Sequence, residues 1–176
     1  QRDKTRIAQF QVGRVKTPED FAAYGWSYSS MAQRCMSPRE YVPGWRYDNR
    51  GPVVFPSSQD YAIVGAVLAS RFGTLLLRYI TQGNDFNSYH VDSIPLWSAT
   101  SAFPIEDMVG YLVASTKLQA TQNPLDRLFS GTIDPIGFEQ ISSINLVTEF
   151  AVELAVFELY DIPDRSRNLV FEETGT

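Results

Sequence analysis

One histidine and one cysteine in 176 residues leave this chain little scope for metal or thiol chemistry. His90 and Cys35 cannot supply the paired His/Cys spacing of a zinc site. A lone cysteine cannot close an internal disulfide, which fits a reducing compartment. Arg34 and Arg39 flank Cys35 and would favour its thiolate, but no histidine lies near in sequence, so a buried or incidental thiol is expected. No run approaches the roughly 18 apolar residues of a membrane span. No basic stretch leads into an apolar run, so no signal peptide is visible. Repeats and low-complexity tracts are absent as well. The chain begins with Gln1 rather than Met and is expected to be a piece of something longer.

Apolar residues are plentiful. The hydrophobic share is 44%, and 3 Trp, 9 Tyr and 11 Phe suffice for a packed core, so disorder is excluded as a description of the whole. The length suits one domain, or one domain with a helical appendage. The net charge of −5 is unevenly spread. Residues 1–50 hold 9 Lys/Arg against 5 Asp/Glu, residues 51–100 hold 2 against 3, and residues 101–176 hold 4 against 12. Salt screens charges beyond about 8–10 Å, so a basic first third can face phosphate while an acidic last third faces elsewhere. A basic tail that merely aids solubility is the plain alternative.

Ile7 to Val15 reads as a strand. Thr17-Pro18-Glu19-Asp20 reads as a helix start, with a helix to about Tyr24. Residues 25–58 are broken by Gly and Pro. Short strands are expected at Tyr41-Val42, Trp45-Arg46-Tyr47 and Val53-Val54-Phe55, with a hairpin tip near Asp48-Asn49. Gln59 to Gln82 carries apolar residues at helical spacing and predicts one helix, capped by Ser57, Ser58 or Asp60 and stopped at Gly83. Gly65 and Gly73 suggest close backbone approach on one broad face. Further helices are predicted over Phe103–Gln122 and about Glu139–Tyr160, with Pro163 barring extension of the last. The fold class is therefore α+β, with short strands and turns in the N-terminal third packed against three main α-helices.

Residues 61–97 read YAIVGAVLASRFGTLLLRYITQGNDFNSYHVDSIPLW. A helix carrying Leu68, Ser70, Arg71, Leu77 and Arg78 precedes a segment with Phe86, Asn87, Asp92, Ile94, Pro95 and Leu96. This pattern resembles the C-terminal target-recognition region of adenine-N6 DNA methyltransferases of fused restriction–modification and BREX phage-defence systems. The stretch from Phe150 to Ile162 is similar to a later helical phrase of that family, "D-x-x-V-x-x-L-Y-G-I", with Asp161 in place of Gly. Leu128 to Thr132 resembles an "E-T-S" stretch distantly. The resemblance covers roughly residues 40–165. It implies a DNA target-recognition core over 1–100 and a helical C-terminal part of the same domain over 101–176. Double-stranded DNA and the methyltransferase domain of the same parent chain are the implied partners, with no membrane partner. The implied setting is the cytoplasm of a bacterium or archaeon.

Catalysis by this stretch is not expected. A methyltransferase needs a Gly-rich turn for S-adenosylmethionine and an Asn/Asp-Pro-Pro-Tyr/Phe loop for the adenine. Asn123-Pro124-Leu125-Asp126 lacks the second proline and the aromatic. The cofactor would belong to the parent enzyme and not to this fragment. Ser88, His90 and Asp92 could suggest a hydrolase, but alternate positions on a strand do not face each other as nucleophile, base and orienter.

Recognition remains. Arg and Lys read guanine, Asn and Gln read adenine, and small hydroxyls and cations hold phosphate. The candidates are Arg34, Arg39, Arg46, Asn49, Arg50 and Arg71, with Asn84, Asn87, Ser88, Tyr89 and His90 from the polar bend 82–90. Arg46, Asn49 and Arg50 lead for groove or phosphate contact. Asn87 and Asp92 could instead be structural, Phe86 is expected in the core, and Arg71 and Arg78 could pair with acids. The rival reading is a protein-interaction module that docks a partner subunit through its acidic helices.

Overall fold

In the computed structural model, residues 23–32, 34–43, 51–96, 104–121 and 135–175 are described. Three short strands, β1 (Gly25–Ser27), β2 (Arg39–Tyr41) and β3 (Val53–Val54), form an antiparallel sheet in the order β2-β1-β3. Trp26 lies opposite Glu40 on one side and Val54 on the other. The central strand was not anticipated, because Gly25 reads as a breaker. Its role is different: a Cβ at Gly25 would lie 2.4 Å from the Val54 carbonyl oxygen, so only glycine lets the two strands approach this closely. The strands expected at 41–42 and 53–55 correspond to β2 and β3. Those expected at 7–15 and 45–47, and almost all of the helix expected from Pro18, fall outside the described residues.

Trp26 joins this sheet to the first helix, α1 (Tyr61–Ala69). Its indole N–H donates to the Tyr61 carbonyl at 2.8 Å, and its ring lies 4.8 Å from that of Tyr61. Gly65 of α1 sits flat against it; a Cβ there would fall 2.5 Å from the indole. Gly65 thus makes room for an aromatic ring.

The single helix expected over 59–82 is two helices. After α1 the chain turns through 82° at Ser70 and continues as α2 (Arg71–Thr81). Ser70 has an extended backbone, and its hydroxyl accepts from the Gly73 N–H at 2.9 Å, the normal arrangement of an N-cap. Gly73 is packed under the corner: a Cβ would fall 2.0 Å from the Val67 carbonyl oxygen. Apolar spacing did not reveal the break because both helices bury a face in the same core. Gly65 and Gly73 therefore lie on different helices. Gln82 ends α2 in the left-handed region, φ 54°.

A short helix α3 (Ser88–Val91) follows, then α4 (Ile105–Thr121), α5 (Pro135–Leu159) and α6 (Asp164–Thr174). Among the described residues there are six helices, the three main segments of the sequence reading being divided or joined by shorter ones. The third long helix begins four residues earlier than expected, with Pro135 at its first position. α6 was missed altogether: Pro163, which bars extension of α5, also opens α6. At the end of α5 the Ile162 N–H bonds to the Phe157 carbonyl and the Asp161 N–H to that of Glu158, a Schellman motif with Asp161 at φ 51°. The residue that departs from the family phrase stands where the backbone favours glycine.

α1 packs on α4 and α5, which pack on each other, and α2 packs on α6. The core runs from Trp26 and Met36 through Val67, Leu68 and Leu77 to Val152, Ala155 and Val156. α5 packs on α1, while its Leu146, Val147 and Phe150 are exposed. Among the described residues no single helix is long and apolar enough to cross a membrane.

Candidate nucleic-acid interface

The bend after α2 is built on one anchor. Phe86 is fully buried, and burying such a ring contributes about 2–3 kcal/mol. Its backbone N–H donates to the Ser30 carbonyl at 2.6 Å, and Asp85 forms an isolated antiparallel bridge with Met31. The bend is thereby pinned to the segment that leaves β1. From there α3 is capped locally: the Asn87 N–H donates to Nδ1 of His90 at 3.0 Å, which leaves the imidazole proton on Nε2. Val91 and Ile94 are buried and fix the inner side of the turn. Tyr160 closes the assembly by donating its hydroxyl to the Pro95 carbonyl at 2.9 Å, and burial pushes its ionisation up to about 12.

On this frame Gln82, Asn84, Asp85, Asn87, Ser88 and Tyr89 are exposed, and His90 is half-buried beneath the Tyr89 ring at 4.0 Å. Asn84, Asn87, Ser88 and Tyr89 therefore lie exposed on one bend, with His90 partly covered beside them. Asn87 and His90 have structural duties there as cap residues, and Phe86 is core. Asp92 ends α3 through its backbone N–H, with its side chain exposed. Burial first, and then the Asp92 charge, raise the pKa of Tyr28 beneath the turn.

Arg34 is exposed three residues beyond Met31, which bridges to the bend. Arg39 is exposed on the edge strand β2. Arg46, Asn49 and Arg50 fall outside the described residues. Arg71 stands at the far end of α2, about 15 Å from the bend by helical rise. Its guanidinium donates to the Gly175 carbonyl at 3.0 Å and lies 5.1 Å over the Phe171 ring. Arg78 donates to the Glu173 carbonyl at 3.0 Å. Both arginines hold the C-terminal end of α6, where the helix dipole is negative. Both of these bonds are to backbone carbonyls.

A residue that sequence reasoning missed organises this region. Glu153 of α5 is 5% exposed, and its carboxylate accepts from the N–H groups of Arg71 at 2.7 Å and Phe72 at 3.0 Å. It caps α2 from a distant helix. Burial raises its pKa, against the lowering effect of those two bonds and of the Arg71 charge. A Ser followed three residues later by Gly within an apolar run was the available sign of the break; nothing local pointed to Glu153 as the acceptor.

Ser88 and His90 lie two positions apart on a helix, so their side chains diverge, and Nδ1 of His90 already accepts a backbone bond. That geometry gives a hydrolase no nucleophile–base pair. Among the described residues no cluster of three or more His, Cys, Asp or Glu side chains could hold a metal ion. No family model, curated protein or solved structure matches the chain.

Proposed function

We propose that this domain reads sequence in double-stranded DNA, as the target-recognition part of an adenine-N6 methyltransferase whose catalytic domain would bind S-adenosylmethionine. The observation that carries the reading is the bend 82–90. It is pinned from beneath by Phe86, Val91 and Ile94, and it presents Asn84, Ser88 and Tyr89 outward. Amide and hydroxyl groups on a rigid projection are suited to base edges and phosphate oxygens. The resemblance over 61–97 supports the same assignment.

Gel-shift titration of the chain against duplex DNA at about 50 and about 200 mM salt tests it. Binding that weakens steeply with salt is expected. Against a selected target, Asn84→Ala is expected to weaken binding by about 1–3 kcal/mol, roughly 5- to 150-fold. Asn84 is exposed, so the fold should not change. Absent or salt-independent retention would reject the reading. It would favour the second one, in which the acidic helices dock a partner subunit. The exposure of Leu146, Val147 and Phe150 is the observation in favour of that second reading.

A further inference from the structure

Glu153 of α5 meets α2 at the 82° corner, where its two oxygens accept the backbone N–H groups of Arg71 at 2.7 Å and Phe72 at 3.0 Å. An ionised carboxylate has lone pairs left after two such bonds. The side chain of Arg71 leaves the same corner in another direction. Its guanidinium donates to the Gly175 carbonyl at 3.0 Å and lies 5.1 Å over the Phe171 ring, so it fastens the C-terminal end of α6 to α2. One residue thus serves two neighbours: its N–H is held by α5 and its cation by α6.

Among the described residues, Arg71 is the charged group that acts on Glu153. The other charges on the surrounding helices are engaged elsewhere or stand in solvent. Arg78 of α2 holds the Glu173 carbonyl, and Arg167 of α6 pairs with Asp164 at 3.0 Å. Tyr61 of α1 turns its hydroxyl toward Gly25 and Glu40. Glu149 and Glu158 of α5, Arg165, Glu172 and Glu173 of α6, and Glu106 and Asp107 of α4 are exposed. While Glu153 carries a proton it is neutral, and the Gly175 carbonyl and the Phe171 face keep the guanidinium. Once the proton leaves, a nearly buried anion stands beside a cation with donors to spare, and an ion pair there outcompetes a bond to a neutral carbonyl. We propose that Glu153 and Arg71 form a proton-operated latch on α6: protonated Glu153 leaves Arg71 on α6, and ionised Glu153 draws the guanidinium to itself and loosens the last turn of that helix. Arg78 keeps its own bond to Glu173, so α6 loosens without detaching. Burial raises the pKa of Glu153 above the ordinary 4.5, against the two N–H bonds and the Arg71 charge, so the latch opens above that pH. The proposal does not rest on the DNA reading.

An NMR pH titration of the whole chain tests it. The Glu153 carboxyl carbon, the Arg71 Nε–H and the Phe171 ring signals are expected to move with one common midpoint. Across that midpoint the hydrogen-exchange protection factors of residues 171–174 are expected to fall at least about tenfold, while those of Val67 and Leu68 hold. In Glu153→Gln the Phe171 and Arg71 signals are expected to stay fixed over the same range. In Arg71→Gln, which keeps the backbone N–H, protection of residues 171–174 is expected to be low at every pH. A Glu153 carboxyl that does not titrate between about pH 4.5 and 9 would overturn the proposal. So would Phe171 signals that stay still through the Glu153 midpoint, or a transition that persists in either variant. The titration of the native chain decides by itself should a variant fail to fold.

Discussion

Glu153 places a nearly buried carboxylate on two backbone N–H groups that lie 82 and 81 positions earlier in the chain. Removing it leaves both groups without their acceptor inside the protein, so Glu153→Ala is expected to cost about 2–4 kcal/mol, read as a lower urea midpoint. Its pH dependence follows from the direction of its shift. Burial outweighs the N–H bonds and holds its pKa above the ordinary 4.5. The folded protein therefore keeps this proton to higher pH than the unfolded chain does. That contribution to stability is complete below about 4.5 and is lost as pH rises through the folded-state value. The stability of the native chain relative to Glu153→Gln should accordingly decline with rising pH across that window. A difference that grows with pH would mean that the two N–H bonds win over burial. Asp161 is a second residue-scale case. Its φ of 51° strains a side chain that glycine lacks, so Asp161→Gly is expected to raise the thermal midpoint, with a gain of up to about 1 kcal/mol. The left-handed backbone at this position was visible only in the fold.

At the scale of elements, three helical glycines should respond oppositely to the same substitution. Gly73→Ala places a methyl group against the Val67 carbonyl at the corner and is expected to cost about 2–3 kcal/mol. Gly65→Ala meets the indole of Trp26 and is expected to cost about 1–3 kcal/mol. Gly110, in α4, has open space around it, and Gly110→Ala is expected to stabilise by up to about 1 kcal/mol through helix propensity alone. Thermal denaturation of the three variants checks the ordering. Equal effects would mean that close packing does not account for Gly65 and Gly73. The long apolar helical segments were legible in sequence, because apolar spacing reports which face of a segment is buried; α3 and α6 were not. The corner at Ser70 was not, because periodicity does not record a change of axis when both segments point inward. The short strands were partly legible. β1 was hidden because glycine, a breaker by propensity, is here required by the approach of β3.

At the scale of the whole molecule, the residues that carry the family resemblance are mainly framework. Leu68, Leu77, Phe86 and Ile94 are buried, Ser70 forms the corner, and Arg71 and Arg78 hold α6. Such a pattern describes how the bend is supported; on the proposed DNA reading, base preference would fall to Asn84, Ser88 and Tyr89. The segregation of charge also has consequences for the molecule as a whole. On the proposed DNA reading, salt should weaken retention, because the basic residues are concentrated in the opening third of the sequence.

The amino-acid sequence by itself determined the α+β class, the long helical segments, the polar bend between apolar runs and the polarity of charge along the chain. All of these follow from local composition and spacing. Tertiary structure alone decided the 82° corner, the capping of α2 by Glu153, the use of Arg71 and Arg78 on α6 and the exposure of Leu146, Val147 and Phe150. Each depends on which distant backbone or side chain arrives within hydrogen-bond or packing distance, and one-dimensional spacing does not encode that proximity.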